Sequence, residues 1–94
     1  MHKESYLHRR AEQLRQWERV IDKLSSRADK ASGKHKTELR HHIVKIEVKK
    51  ARTEVILRQL EKAENGNWHE IKAVLEISWR ELRESFLKAS AKSK

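Results

Sequence analysis

The 94-residue chain contains no cysteine, no proline and only two glycines. Without cysteine it can form neither a disulfide framework nor a thiolate site for a metal or for nucleophilic catalysis. Without proline, and almost without glycine, it lacks the residues that interrupt helices, so long helices are favoured. Aromatic residues, which are common in β-strands, make up only 5% of the chain, so the composition does not favour strands. We therefore expect one all-α domain spanning residues 1–94.

Long apolar runs are also missing from the sequence. No stretch approaches the roughly 18 to 20 apolar residues that a membrane-spanning helix requires. No apolar segment of the kind found in signal peptides follows Met1. We therefore expect a cytoplasmic protein without integral membrane association.

Charged residues, in contrast, are abundant and unbalanced. Lysine and arginine number 23 against 14 aspartates and glutamates, which gives a formal net charge of +9. Basic and acidic residues are interleaved along the chain, a pattern typical of solvated helix surfaces. A basic excess of this size also favours a polyanionic partner such as nucleic acid.

Apolar residues in the first third of the chain recur with the spacing of a coiled-coil seam. They are Leu7, Leu14, Trp17, Ile21, Leu24, Ala28 and Ala31. This seam predicts a first helix over about residues 4–31. It breaks at the sequence KASGKHK, where Gly33 is suited to the left-handed conformation that follows many helices, so we predict a turn near 32–35. The alternative is one continuous helix over 4–64, which would have to oligomerise to cover its first seam.

One apolar stripe predicts a second helix over about residues 35–64. Its members are Leu39, Ile43, Ile46, Thr53, Leu57 and Leu60. Lys50 lies on the same stripe, where it either extends to solvent or meets a carboxylate of another helix. We expect Lys50 to extend to solvent. Gly66 in the sequence ENGN predicts a second turn near 65–67.

The third helix is predicted over about residues 68–90, with residues 91–94 as a frayed tail. Its apolar stripe comprises Trp68, Ile71, Leu75, Trp79, Leu82 and Phe86. Because both tryptophans lie on this stripe, we interpret them as core residues and not as a ligand site. Three helices of similar length joined by short turns predict an antiparallel three-helix bundle or coiled coil.

A second apolar line runs along the second helix, roughly opposite its main stripe. It consists of Val44, Val48, Ala51 and Val55. A helix with two apolar lines contacts two other surfaces. By a small margin we favour the interpretation that the first and third helices pack on different sides of the second. The alternative is that this line is a self-association face that pairs with its copy in a symmetric dimer.

Lys45, Lys49 and Arg52 form a basic ridge beside the valines, spaced four and three residues apart. Such a ridge could contact phosphates without reading base sequence. No helix-turn-helix spacing appears, and the sequence shows no exposed aromatic residue for base stacking. Nucleic-acid binding through these three residues is therefore the alternative function.

The sequence offers little that could support catalysis or metal binding. His41 and His42 are adjacent and point about 100° apart on a helix, so they cannot share an ion. The serines have no partner arrangement, and no glycine-rich phosphate loop is present. We predict that the protein is not an enzyme and binds no metal, cofactor or small-molecule substrate.

Two stretches resemble a known family. In LRQWERVIDKLSSRADKA, residues 14–31, the matching positions are Leu14, Trp17, Ile21, Asp22, Leu24, Ala28 and Ala31. In GNWHEIKAVLEISWRELRESF, residues 66–86, they are Trp68, Ile71, Lys72, Trp79 and Leu82. The chain is similar here to small bacterial stress-response coiled-coil proteins of unknown activity. The resemblance implies a helical fold and a bacterial cytoplasmic setting, without catalytic residues. The chain departs from that family in its strongly basic charge and in Gly33.

Together these observations predict a non-enzymatic helical interaction or structural protein. We expect it to self-associate, most simply as a dimer, or to bind another protein, and the resemblance adds a stress-related role. Sequence-nonspecific nucleic-acid binding is the second hypothesis.

Overall fold

The computed structural model describes residues 2–92, which form three α-helices and contain no strand. Helix α1 comprises His2–Lys30, α2 comprises Gly33–Glu61 and α3 comprises Trp68–Lys92. The bundle measures 51 × 18 × 17 Å. Helix α2 runs antiparallel to α1, because Asp29 contacts Arg40 and Glu18 contacts Lys50. The predicted three-helix bundle is confirmed, and the alternative of a continuous helix over 4–64 is wrong.

Helix boundaries differ from the predicted ones by at most three residues. Helix α1 begins at His2, and α3 continues through Lys92. Residues 91–92 of the predicted frayed tail are therefore helical, because the last turn of α3 continues to pack through the buried Ala89. Residues 93–94 of that tail lie outside the described residues.

The first turn needs only two residues between the helices. The Ala31 N–H donates to the carbonyls of Arg27 and Ala28 at 3.0 and 3.2 Å, which closes the last turn of α1. Ser32 is extended, with φ −136° and ψ 160°. Gly33 has φ +59°, which is a left-handed backbone conformation. Glycine adopts this conformation readily, whereas a residue with a Cβ atom does so only at a considerable cost in free energy.

Each helix contributes one apolar stripe to a common core, and the three stripes follow the predicted positions closely. Trp68 and Trp79 are both buried in this core, as we interpreted them from the sequence. The buried apolar residues are Leu14, Ile21, Leu24, Ala28, Leu39, Ile43, Ile46, Leu57, Leu60, Trp68, Leu75, Trp79, Leu82, Phe86 and Ala89.

The three helix pairs are not equally close. The backbones of α2 and α3 approach each other most closely, and those of α1 and α3 are farthest apart. Aromatic rings fill the wider α1–α3 interface, where the Trp17 ring centroid lies 4.8 Å from that of Trp79 and 5.0 Å from that of Phe86. Tyr6 meets Trp68 edge-on at 6.2 Å. Large rings at this interface therefore hold α1 and α3 apart while keeping the core closed.

Candidate functional site

Four small apolar residues of α2 face away from the bundle. Val44 and Val48 are each 58% exposed and Val55 is 49% exposed, and Ala51 between them is also exposed. We call these four residues the valine surface. The interpretation that α1 and α3 pack on different sides of α2 is therefore wrong. In a triangular bundle both neighbours contact a helix on nearly the same side, so one apolar stripe serves both of them.

The basic ridge lies between the valine surface and α3. Lys45, Lys49 and Arg52 line one shallow depression together with Val44 and Val48. Lys49 is half-buried, and its Nζ donates a hydrogen bond to Ser85 Oγ of α3 at 2.9 Å. No ion pair among residues 2–92 includes any of the three ridge residues. Two of these cations thus extend freely into solvent, and Lys49 connects α2 to α3.

Carboxylates flank the valine surface on its other side, toward α1. Glu47 and Lys50 of α2 line one cleft with Glu18 and Asp22 of α1. Lys50 is only 14% exposed, and its Nζ lies 3.0 Å from Glu18 Oε1 and 3.3 Å from Glu54 Oε1. The expectation that Lys50 extends to solvent is wrong, because a carboxylate of α1 lies within reach.

The protonation of Lys50 follows from this arrangement. Burial lowers the pKa of the Lys50 amine, but hydrogen bonds to Glu18 and Glu54 outweigh burial, so the pKa is raised overall. Lys50 is therefore a fixed positive charge that joins α1 to α2.

Cations also line the groove between α1 and α3, where they lie on the faces of the aromatic rings. The Arg10 guanidinium lies 4.4 Å from the centre of the Trp79 ring and 5.1 Å from that of Tyr6. Lys3 and Lys72 lie 5.0 Å from Trp68 and 4.9 Å from Tyr6, respectively. The sequence analysis did not identify this groove. The available signal was the four-residue spacing of Arg10 from Tyr6 and of Lys72 from Trp68.

Histidines are dispersed over the surface. The ring centroids of His41 and His42 are 6.3 Å apart, and within residues 2–92 no three histidine, aspartate or glutamate side chains could hold one metal ion. Burial lowers the pKa of His42, and the neighbouring His41, Lys45 and Lys92 lower it further. At neutral pH this environment favours the uncharged imidazole.

Two hydroxyl groups form a buried contact that the sequence analysis missed. Thr53 Oγ1 donates to the Lys49 carbonyl at 2.8 Å and lies 2.7 Å from Ser78 Oγ. Both residues are buried between α2 and α3. The pair links two helices, and within residues 2–92 neither oxygen has a hydrogen bond to a basic side chain that could activate it.

None of the helices in residues 2–92 is both long enough and apolar enough to cross a bilayer. Comparison of the chain with protein families, with curated protein sequences and with solved structures gave no significant match. The function is therefore argued from the exposed surfaces of the bundle.

Proposed function

We propose that this is a non-enzymatic interaction protein that forms a homodimer through the valine surface. The observation that carries the proposal is the exposure of Val44, Val48 and Val55 in one line along α2. Burial of such a line against a second surface removes apolar area from water, which favours association. The resemblance to small bacterial stress-response coiled-coil proteins extends the proposal to a stress-related role in a bacterial cytoplasm.

The spacing of the valine surface is that of a coiled-coil seam. In heptad notation Val48 and Val55 occupy a positions, and Val44 and Ala51 occupy d positions. β-branched valine at a positions is typical of two-stranded coiled coils, which usually combine it with leucine at d, whereas Val44 and Ala51 occupy the d positions here. A second copy of α2 is therefore the partner that this surface fits.

Charges beside the seam support one orientation of the two copies. Lys45 and Arg52 fall at e positions, and Glu47 and Glu54 fall at g positions. In a parallel pair a g residue meets the e residue of the partner, so Glu47 would meet Arg52 of the partner subunit. An antiparallel pair would bring like charges together. Neither Glu47 nor Arg52 has an ion-pair partner within residues 2–92 of its own chain.

The seam is short, which sets the expected affinity. Residues 44–55 span about 17 Å at the helical rise per residue. Interfaces at the small end of the known range are usually weak and reversible. We expect a parallel dimer with a Kd on the order of micromolar.

Val48→Glu tests the proposal. A carboxylate at the centre of the seam would lose hydration on association, so we expect dimerisation to weaken at least about tenfold. The helical circular-dichroism signal and the thermal midpoint of the monomer should stay close to those of the wild type, since Val48 is exposed in the folded chain. Solution mass measured over a concentration series by sedimentation equilibrium gives the result.

Val74→Glu is the matched control. Val74 is 51% exposed but lies on α3, outside the valine surface. The control should dimerise like the wild type. A wild-type mass that stays monomeric at all concentrations, or equal weakening by both substitutions, would contradict the proposal.

Nucleic-acid binding through Lys45, Lys49 and Arg52 is the weaker candidate for this face. The Lys49 amine is engaged by Ser85, and the neighbouring valines offer no ring on which a base could stack. The position of Lys45 and Arg52 at heptad e sites gives these two cations a role in dimer orientation instead.

A further inference from the structure

The groove between α1 and α3 is strongly basic where residues 2–17 of α1 face residues 68–83 of α3. Two adjoining clefts of about 440 and 430 Å³ lie in it. Six cationic side chains line them: Lys3, Arg9, Arg10, Lys72, Arg80 and Arg83. The one carboxylate that lines either cleft is Glu76, and its Oε1 lies 3.9 Å from Lys72 Nζ. The groove therefore carries a large uncompensated positive charge.

The opposite holds for the groove between α1 and α2. Its two clefts are lined by five carboxylates and by three cations, of which Lys50 is already paired with two of the carboxylates. The five carboxylates are Glu18, Asp22, Glu47, Glu54 and Glu61. The α1–α3 groove is thus basic and the α1–α2 groove acidic, and the basic ridge beside the valine surface is a second region of unpaired cations. A groove with several cations and few carboxylates attracts an extended anion more strongly than a surface on which the two signs alternate.

Aromatic rings hold several of the groove cations in place. Arg10, Lys3 and Lys72 each lie about 4 to 5 Å from a ring centre. An aromatic ring carries no net charge, so it positions these cations without neutralising them, and of the three Lys72 alone has a carboxylate, Glu76, within ion-pair distance in residues 2–92. Tyr6 and Trp17 are themselves half-buried and reach the groove surface. The Tyr6 hydroxyl itself is buried and has no hydrogen-bond partner within residues 2–92, so only the accessible part of the ring is open to a ligand.

We infer that the α1–α3 groove binds the sugar-phosphate backbone of single-stranded nucleic acid. Lysine and arginine side chains contact the phosphates, and the accessible parts of Tyr6 and Trp17 contact bases, as in other sequence-tolerant single-strand sites. Helices α1 and α3 run parallel, because Tyr6 contacts Trp68 and Trp17 contacts Phe86. Their cations therefore form two parallel rows along one strand. The groove lies across the bundle from the valine surface, so this inference is independent of dimerisation.

The test uses fluorescence anisotropy with a labelled 20-nucleotide oligo(dT), measured from 50 to 200 mM salt. Wild-type protein should bind, with a log–log salt slope that approaches about −4 if six cations contact phosphates. Arg80→Glu combined with Arg83→Glu should weaken binding at least about tenfold and reduce the slope by about 1.4. Both arginines are exposed, so we expect the variant to remain folded, which circular dichroism will check.

Arg19→Glu combined with Lys23→Glu is the matched control. This variant changes the net charge by the same amount, but both residues are exposed on α1 and line neither cleft of the groove. Its affinity should fall by no more than about threefold. Equal losses in the two double variants would contradict the inference, as would a failure of wild-type protein to bind at 50 mM salt.

Two competitors distinguish a single strand from other polyanions. A 20-base-pair duplex and inorganic polyphosphate should both displace the labelled oligonucleotide less effectively than unlabelled oligo(dT). Equal or better displacement by polyphosphate would show that base contacts contribute nothing. Better displacement by the duplex would assign the groove to double-stranded nucleic acid instead. Either result would overturn the assignment to single strands.

Discussion

At the level of single residues, the contact between Thr53 and Ser78 is the clearest link between α2 and α3. Because the one hydroxyl hydrogen of Thr53 is donated to the Lys49 carbonyl, the hydrogen in the 2.7 Å contact must come from Ser78. Thr53 is 0% exposed and Ser78 is 6% exposed. Water therefore cannot replace a lost partner, and a buried hydroxyl without an acceptor destabilises the fold.

A double-mutant cycle tests this contact. Thr53→Val should lower the free energy of unfolding by about 1 to 3 kcal/mol, because it leaves the Ser78 hydroxyl without its acceptor. Ser78→Ala should lower the free energy of unfolding by only about 1 kcal/mol, because the Thr53 hydroxyl still donates to the Lys49 carbonyl. The double variant should lower the free energy of unfolding by about 1 kcal/mol less than the sum of the two single effects. Urea denaturation followed by circular dichroism measures all three variants.

Ser26→Ala provides the reference for this cycle. Ser26 is exposed on α1, and its substitution should change stability by less than about 0.5 kcal/mol. Strict additivity of the Thr53 and Ser78 substitutions would show that the two hydroxyls do not interact.

The sequence could not identify this pair. It placed Thr53 on the apolar stripe of α2, and that position is confirmed by burial. It gave no reason to match Thr53 with a serine of α3 25 positions later. The match depends on the axial register of two helices, which helical periodicity alone does not specify.

At the level of helices and turns, the reversal between α1 and α2 depends on one backbone conformation. Gly33 has φ +59°, and a Cβ atom added there would meet no other atom within 4 Å. Any cost of a larger residue at this position therefore comes from the backbone and not from crowding.

Gly33→Ala should destabilise the protein by about 1 to 2 kcal/mol, the usual cost of a left-handed conformation for a residue with a Cβ atom. Gly66→Ala is the matched control. Gly66 also has open space around it, but its φ does not lie in the left-handed region, so alanine should be neutral or stabilising by up to about 1 kcal/mol. Thermal unfolding of the two variants gives the comparison. Equal effects would mean that the conformation of Gly33 does not limit stability.

At this level the sequence was informative. Breaks in apolar periodicity at Gly33 and Gly66 located both turns, because a helix that changes direction must interrupt its stripe. The helix ends were less well defined, since terminal residues such as His2 and Lys92 carry no apolar signal.

At the level of the whole molecule, the valine surface and the α1–α3 groove lie on opposite sides of the bundle. The valine surface projects from the outer side of α2, and the basic groove lies between α1 and α3. A dimer formed through α2 would leave the groove of each copy open to solvent. Dimerisation and nucleic-acid binding can therefore be tested separately, and the failure of one would not affect the other.

The orientation of the dimer gives a prediction at this scale. If the copies are parallel, Glu47→Lys and Arg52→Glu should each weaken dimerisation, because each places like charges at a g–e contact. The chain that carries both substitutions should regain most of the wild-type affinity, since the exchanged charges again attract. Sedimentation equilibrium at low salt measures all three. A single substitution that strengthened association would indicate antiparallel copies.

Composition and periodicity by themselves determined that the protein is all-α, that it has two turns, and which stripe of each helix is buried. These properties are local, because each residue turns the helix by a fixed angle and thereby sets which side chains share a face. Only the tertiary structure decided that the valine surface stays open, that Lys50 meets Glu18, and that cations and aromatic rings meet between α1 and α3. Those contacts depend on how each helix is rotated and shifted against its neighbours, which is fixed when all three stripes pack into one core.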